Sequence, residues 1–322
     1  MIKAPKFWYK EDRLSKLIAF LAYPLSIIWI VIAYIKKNMR MPYKSKLKVI
    51  CIGNLNIGGT GKTPFTIYTY KILRELGYKP AFLTRGYGGL EKGPMQVKPR
   101  HKSKDVGDEA LLLNKVGPTI ISADRSQGAE FIESHKDNYD VILMDDGLQN
   151  NQLEKNIKLL LVDKKLKFGN GFCVPAGPLR ETPARLKSVD LIVENGGQNS
   201  NNYTLEPAAL RSVKSSFPVS ESITNGHAVS AIGNPKRFEN TLKKQGITLL
   251  SSNHFRDHHL YRVEDFTQFG NDNILMTEKD AVKCSEFAKD NWYYLPVNAK
   301  PTQAVINKLT LILKEKGILN GL

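Results

Sequence analysis

"CIGNLNIGGTGKTP" occupies residues 51–64 and decides the fold. The apolar run that feeds it, "KVICIGN", reads as a buried strand, and the residues from Lys62 onward read as a helix. Gly58, Gly59 and Gly61 let backbone N–H groups converge on an anion at the N-terminus of that helix. The closing Gly-Lys-Thr suits a phosphate-binding loop. Lys62 would reach the β- and γ-phosphates of a nucleotide, and the Thr63 hydroxyl would bind Mg2+. The usual loop reads G-x-x-x-x-G-K-[ST], and its first glycine would fall at position 56, where this chain has Asn56. A glycine-rich turn that happens to end in Lys-Thr is the competing reading, and the strand–loop–helix setting argues against it.

The same pattern extends along the chain. "PAFLTRG" from Pro80, "TIISAD" from Thr119, "DVILMDDG" from Asp140, "IKLLLVD" from Ile157 and "DLIVENG" from Asp190 are short apolar runs, as buried parallel strands should be. Helices fit between them at residues 62–76, 108–115 and 126–135. This predicts an α/β fold of the P-loop NTPase type, with a doubly wound, mostly parallel sheet. After the polar stretch 196–202 a second, smaller α/β unit begins near His227, with strands "AVSAIG", "ITLLSS", "NILMTE" and "WYYLPV" and a last helix over 302–316. The expected division is an anchor helix at 1–40, a P-loop kinase domain at 41–225 and a smaller α/β domain at 226–322.

Within "VILMDDG" two acids end a strand, where open α/β sheets face their ligand crevice. Asp145 suits the carboxylate that holds nucleotide Mg2+. Asp146 points to the opposite face of the strand and has a separate task. Guanine readers carry N-K-x-D; Asn114-Lys115-Val116-Gly117 lacks the Asp, and "TEKD" from Thr277 has the wrong spacing, so ATP is favoured. Asp108 in "VGDEALLL" heads a helix, as a capping residue or as a functional acid. "HFRDHHLY" holds His254, His258 and His259, readable as metal ligands or as partners of an acid, although no H-E-x-x-H or Cys pairing accompanies them. "GPLRETPAR" offers Arg180, Glu181 and Arg185, and guanidinium forks suit phosphate.

The chain of 322 residues carries a formal charge of +16, which suits an anionic partner: nucleic acid, an acidic membrane surface or a phosphorylated substrate. Lysines that only solubilise the surface are the plainer reading. Three distant cysteines in no metal spacing fit buried thiols in a reducing compartment. Residues 17–35, about 19 without a charge, approach the lower limit for a membrane span. Tyr23, Trp29 and Tyr34 suit an interface belt, and Pro24 would kink a helix. Basic residues flank both ends (Lys3, Lys6, Lys10, Arg13 and Lys16 before; Lys36, Lys37, Arg40, Lys44, Lys46 and Lys48 after), so the positive-inside rule picks no orientation. The expectation is an anchor lying in the cytoplasmic leaflet, with a single span as the alternative.

Together these motifs resemble the tetraacyldisaccharide 4'-kinase (lipid A 4'-kinase) family of Gram-negative bacteria. The resemblance runs over nearly the whole chain and in the family's order: "GNLNIGGTGKTP", "TRGYGG" at Thr84, "GDEA" at Gly107, "DDGLQN" at Asp145, "GNGFCVPAGPLRE" at Gly169, "AIGNPKRF" at Ala231, "FRDHHLY" at Phe255 and "TEKDAVK" at Thr277. The family's loop commonly lacks the first glycine, which makes Asn56 a family variant. The family usually reads D-D-G-F-Q-H where Leu148 and Asn150 stand, and Pro where Arg256 stands.

The resemblance implies transfer of the ATP γ-phosphoryl group to the 4′-hydroxyl of a tetraacyl disaccharide 1-phosphate lipid. The expected catalytic set is Asp108 as general base, with His258 or the adjacent His259 tuning it, plus Lys62 and Arg180 on phosphate charge. Residues 56–63 (Asn56, Ile57, Gly58, Gly59, Thr60, Gly61, Lys62 and Thr63) would cradle the nucleotide. Thr63, Asp145 and Glu181 would lie near Mg2+, and Asp146, Gln149, Arg125 and His259 around substrate. The partners expected are the glycolipid and a membrane surface, with no nucleic acid and no obligate protein partner. The place is the inner membrane, with the catalytic domains on the cytoplasmic side. A membrane-associated P-loop switch or transport ATPase is the alternative; a kinase for a soluble nucleoside or sugar would leave the apolar N-terminus unexplained.

Overall fold

Val49 and Cys51 on one side, Ile50 and Ile52 on the other, are all buried, so the first strand is covered on both faces as a central parallel strand requires. The structure is a computed structural model describing residues 4–318 apart from Arg40, Gly59 and Lys136. Of the basic residues flanking the N-terminal run, Lys3 and Arg40 therefore lie outside the described residues, as does the side chain of Lys37.

After a short 3-10 turn (Lys6–Trp8) come helix α1 (Arg13–Asn38), β1 (Lys48–Gly53), α2 (Lys62–Glu75), β2 (Pro80–Thr84) and β3 (Met95–Gln96). Then follow α3 (Ser103–Val106), α4 (Asp108–Asn114), β4 (Thr119–Ile121), α5 (Arg125–Glu133), β5 (Val141–Asp145), β6 (Ile157–Asp163), β7 (Leu191–Asn195) and β8 (Asn202–Pro207). Among the described residues these strands, with β14 below, form one sheet in the order β14-β8-β7-β6-β1-β5-β2-β4-β3. It is parallel through its centre, with antiparallel pairs at both edges. One face packs on Phe65 and Leu73 of α2 and on Val305 and Leu309 further on; the other packs on Ala129 and Ile132 of α5. The fold is thus the doubly wound α/β arrangement expected, with β1 and β5 adjacent so that their C-terminal ends open on one crevice.

A smaller sheet is built from β9 (Arg211–Ser212), β10 (Asn225–Ser230), β11 (Thr248–His254), β12 (Ile274–Thr277) and β13 (Trp292–Leu295), with helices α6 (Pro235–Lys244) and α7 (Glu278–Cys284). "WYYLPV" does not stay in this sheet. The chain leaves it after Leu295, and β14 (Val297–Pro301) pairs antiparallel with β8 in the large sheet, followed by α8 (Gln303–Glu315) against the large core. The block expected at 226–322 is therefore shared between two sheets. Two apolar strands separated only by Pro296 read as one when partners are not visible.

Helix α1 inverts the pattern of a helix on a water-soluble body. Ser15, Ala19 and Ser26 are buried. Ser26 Oγ donates to the Cys173 carbonyl (2.7 Å) and accepts from Ala176 N (3.1 Å). Tyr23 packs on Phe172 (ring centroids 5.1 Å) and Trp29 Nε1 donates to the Arg180 carbonyl (3.0 Å), so two of the three expected belt residues hold the helix to the body. Small residues permit this close approach, while Leu14, Leu17, Phe20, Leu21, Leu25, Ile28, Ile32 and Tyr34 are exposed. The helix runs through Pro24 as one element.

Candidate active site

The loop leaving β1 is shaped from behind. Asn54 Nδ2 donates to the Asn56 carbonyl (2.9 Å), Ile57 N donates to the Pro178 carbonyl (2.9 Å) and Arg180 N to the Leu55 carbonyl (2.7 Å). Asn56 forms an antiparallel bridge with Leu179, an extended pairing that any residue can make, so no glycine is needed there. Its side chain is buried and donates to the Lys167 carbonyl (2.7 Å). The side chain of Asn56 therefore braces the loop from behind.

Gly61 has φ +82° and caps α2; a Cβ there would lie 2.9 Å from both Asn195 Nδ2 and the Tyr203 hydroxyl. Glycine is required by conformation and by space. The buried Thr60 carbonyl accepts from Tyr203 OH (2.8 Å) and from Asn195 Nδ2 (3.0 Å). Gly58 adopts φ +120°, and the expected cradle residue Gly59 lies outside the described residues.

Lys62 and Thr63 open α2 opposite the end of β5. Thr66 Oγ1 donates to Asp145 Oδ1 (2.8 Å) and Thr63 Oγ1 lies 3.4 Å from Asp145 Oδ2. Burial, then the charges of Glu109 and Asp146, push the Asp145 carboxyl up to about 7. Asp146, at φ +50°, turns the other way. Arg180 NH1 reaches both of its oxygens at 3.1 Å, and Lys62 Nζ lies 3.6 Å away. Burial raises the Asp146 carboxyl, but these two cations outweigh it and hold it below the usual range. Gln149 donates to the Asn54 carbonyl (2.9 Å) and accepts from Arg180 (3.3 Å), so it braces the loop and the arginine together.

Asp108 opens α4 after Gly107, whose φ is +87° and whose Cβ, if present, would overlap the Tyr87 carbonyl. Its side chain is only 3% exposed. Oδ1 accepts from Glu109 N (2.9 Å), and Oδ2 lies 3.0 Å from His258 Nδ1. His258 comes from the loop after β11 and is held at φ +62°, a conformation that costs a non-glycine residue about 1 kcal/mol. Burial raises the Asp108 carboxyl, but the His258 hydrogen bond and the Lys279 charge together hold it below its usual value. The charge of Glu109, beside Asp108 at the N-terminus of α4, is thus felt by Asp145 at the end of β5.

The other expected residues are held as follows. His259 Nε2 pairs with Asp265 (2.9 Å) and its ring stacks on Phe255 (4.6 Å), inside the small-sheet unit. His258, not His259, meets Asp108. His254 contacts Glu239. No cluster of three or more His, Cys, Asp or Glu side chains suited to a metal occurs among the described residues, so the histidine-rich segment does not assemble one. Glu181 pairs with Arg185 (3.3 Å). Arg125 is buried, its NH1 donates to the Ser122 carbonyl, and burial lowers its guanidinium to about 10. Asn195 and Tyr203 escaped the sequence reading. Asn195 ends the strand "DLIVEN" and could have been found by the strand-end logic applied to Asp145; Tyr203 carries no such signal.

Comparisons with known proteins identify the family. A family model described as Tetraacyldisaccharide-1-P 4'-kinase matches residues 18–314. A tetraacyldisaccharide 4'-kinase of Pseudoalteromonas translucida (strain TAC 125) is 48% identical over the whole of both chains. One from Psychromonas ingrahamii is 40% identical, covering 96% of this chain and 98% of its own. A crystal structure of LpxK from Aquifex aeolicus in complex with ATP superposes with a TM-score of 0.74 at 24% identity, covering 93% of this chain and 99% of that one, and so shares the fold. By the extent of these matches and the order of its motifs, the chain belongs to the Tetraacyldisaccharide-1-P 4'-kinase family.

Proposed function

We propose that this chain transfers the γ-phosphoryl group of ATP to the 4′-hydroxyl of a tetraacyl disaccharide 1-phosphate lipid, a step of lipid A biosynthesis. One observation carries the reading. A buried carboxylate–imidazole pair, Asp108 with His258, stands at the N-terminus of α4, next to Glu109, whose charge acts on the β5 acid Asp145. A switch or transport ATPase needs the loop and the acids but has no use for an acceptor base beside them.

The donor set suits Mg2+. A hydroxyl and a carboxylate, Thr63 and Asp145, sit together, and Asp145 is buried with the negative charges of Glu109 and Asp146 acting on it. Mg2+ takes one or two carboxylates and keeps several waters, so a larger protein cluster is not required. Thr63 and Asp145 would hold the ion, and Glu181 would have to leave Arg185 to join them. When bound, the ion neutralises charge on the phosphates.

The chain's own groups supply the rest. Backbone N–H groups of the loop and Lys62 bind the phosphates, and Arg180, oriented by Asp146 and Gln149, offsets charge that develops during transfer. The acceptor oxygen bonds to the γ-phosphorus as the bond to the bridging oxygen breaks. ADP departs, and the acceptor proton passes to the Asp108 carboxylate. His258 Nδ1 orients that carboxylate. The acceptor stays in a membrane, and the exposed apolar side of α1 fits the interface of the inner membrane, with the catalytic units on the cytoplasmic side. Contacts to the body from Ser26 to Trp29 near mid-helix favour a helix lying along the surface over one that spans.

The test is incubation of purified protein with Mg-ATP and the tetraacyl disaccharide 1-phosphate in mixed micelles. Mass spectrometry should find a lipid carrying one more phosphate, absent with Lys62→Ala. ATP hydrolysis without phosphorylated lipid would instead support the switch or transport ATPase.

A further inference from the structure

We infer that Lys279 is a positioning residue for phosphoryl transfer, joining the small-sheet unit to the N-terminus of α4 and holding Asp108 and His258 in their working relation. The inference rests on the kinase reading above. Lys279 lies in the first turn of α7, directly after Thr277 caps that helix. A cation there opposes the helix dipole, so it does not serve the helix. It reaches outward instead. Its Nζ lies 3.4 Å from Asp257 Oδ1, 3.6 Å from Glu109 Oε1 and 3.8 Å from Asp108 Oδ2. Asp108 and Glu109 belong to the large-sheet unit, whereas Asp257, His258 and Lys279 belong to the small one. One ammonium thus sits among three carboxylates and weakens the repulsion between them across the boundary.

Lys279 also acts on the imidazole. Its Nζ lies 3.4 Å from His258 Nε2. An ammonium only donates, so Nε2 must accept, and the proton of the neutral ring then sits on Nδ1. That is the tautomer able to donate to Asp108 Oδ2 at 3.0 Å. Asp257 Oδ2, which would favour the other tautomer, is 3.9 Å from Nε2 and beyond hydrogen-bond reach. Burial works against the lysine's charge, but the surrounding carboxylates outweigh it and hold the ammonium protonated. Lys283, one turn on, is engaged by Asp280 (2.8 Å) and cannot substitute.

The experiment measures steady-state phosphorylation of the lipid acceptor by the full-length protein. Lys279→Met should lower kcat by about 10- to 100-fold, as loss of an orienting partner does, with KM for ATP within about twofold of the parent. Lys279→Arg, which keeps charge and donors, should recover at least about fivefold of that loss. In a His258→Ala background the same Lys279→Met change should cost less than about threefold, because the ring it orients is gone. A purely structural role would cost the same in both backgrounds. Unchanged kcat in Lys279→Met, equal losses in the two backgrounds, or no recovery with Arg would each overturn the inference. Should Lys279→Met fail to fold, Lys279→Gln is read by the same criteria. Absence of phosphorylated lipid with the parent protein would instead refute the kinase reading itself.

Discussion

Tyr203→Phe tests whether the phosphate loop is held from behind through one carbonyl. The ring stays, with its contact to Phe65 at 5.0 Å, and only the hydroxyl is lost. That hydroxyl donates to the Thr60 carbonyl at 2.8 Å in a fully buried setting. Because Asn195 Nδ2 still donates to the same oxygen at 3.0 Å, the carbonyl is not orphaned. The expected loss is that of one ordinary hydrogen bond, about 1 kcal/mol. Asn195→Ala should cost about 1–2 kcal/mol, since it also removes the acceptor of Arg237, which donates to Asn195 Oδ1 at 3.1 Å. The double variant strips the carbonyl of both donors and adds the penalty of a buried unsatisfied acceptor. Its loss should exceed the sum of the singles by about 1 kcal/mol. Thermal unfolding in detergent, with the single midpoints lowered by about 2–4 °C per kcal/mol, reads the stability part. A loosened loop should also raise KM for ATP in the double variant by roughly fivefold per kcal/mol spent on reordering it. Strict additivity, or a Tyr203→Phe protein unchanged in both midpoint and KM, would show that the loop is supported elsewhere.

Three further outcomes are expected. His258→Ala should lower kcat by about a hundredfold or more, the range of acid–base contributions, whereas His259→Ala should mainly reduce stability by freeing Asp265; kinetics and thermal midpoints of the pair decide it, and the reverse pattern moves the catalytic pair by one residue. Asp108 has its carboxyl below the ordinary value of 3.8, so its ionised form stabilises the fold at any pH above that value and the contribution disappears as pH falls through the lower folded value. The advantage of the parent over Asp108→Asn should therefore hold down to about pH 4 and shrink as pH falls below it, and an advantage that grows on acidification would reverse the sign of the argument. On α1, Leu21 and Ile28 are 69% and 56% exposed. Leu21→Glu with Ile28→Glu should reduce sedimentation with anionic vesicles by at least about tenfold without lowering the thermal midpoint, and undiminished binding would move the membrane contact away from this helix.

Features carried by spacing within a few residues were legible before any partner was seen. The strand, loop and helix around Lys62 form one local unit, and the acids of "VILMDDG" mark a strand end by position alone. The apolar N-terminal run declared a helix for the same reason. What depended on partners far along the chain was not legible. His258 and His259 are adjacent and chemically alike; the positive φ at His258 sends its ring to Asp108, 150 residues away, while His259 turns to Asp265. Asn56 lay in the loop by sequence, yet its side chain bonds Lys167 behind it. The last strand of "WYYLPVNAKP" crosses to the large sheet because β8 offers it an edge, a fact absent from its own composition. Lys279 stood within "TEKDAVK" with no role of its own, and only α4 and the β11 loop bring three carboxylates around it. Periodicity and short motifs report the local conformation a chain prefers. Which side chains then meet is settled by packing across the whole fold, because hydrogen bonds and charge pairs form only between groups that the tertiary structure has already brought within a few ångströms.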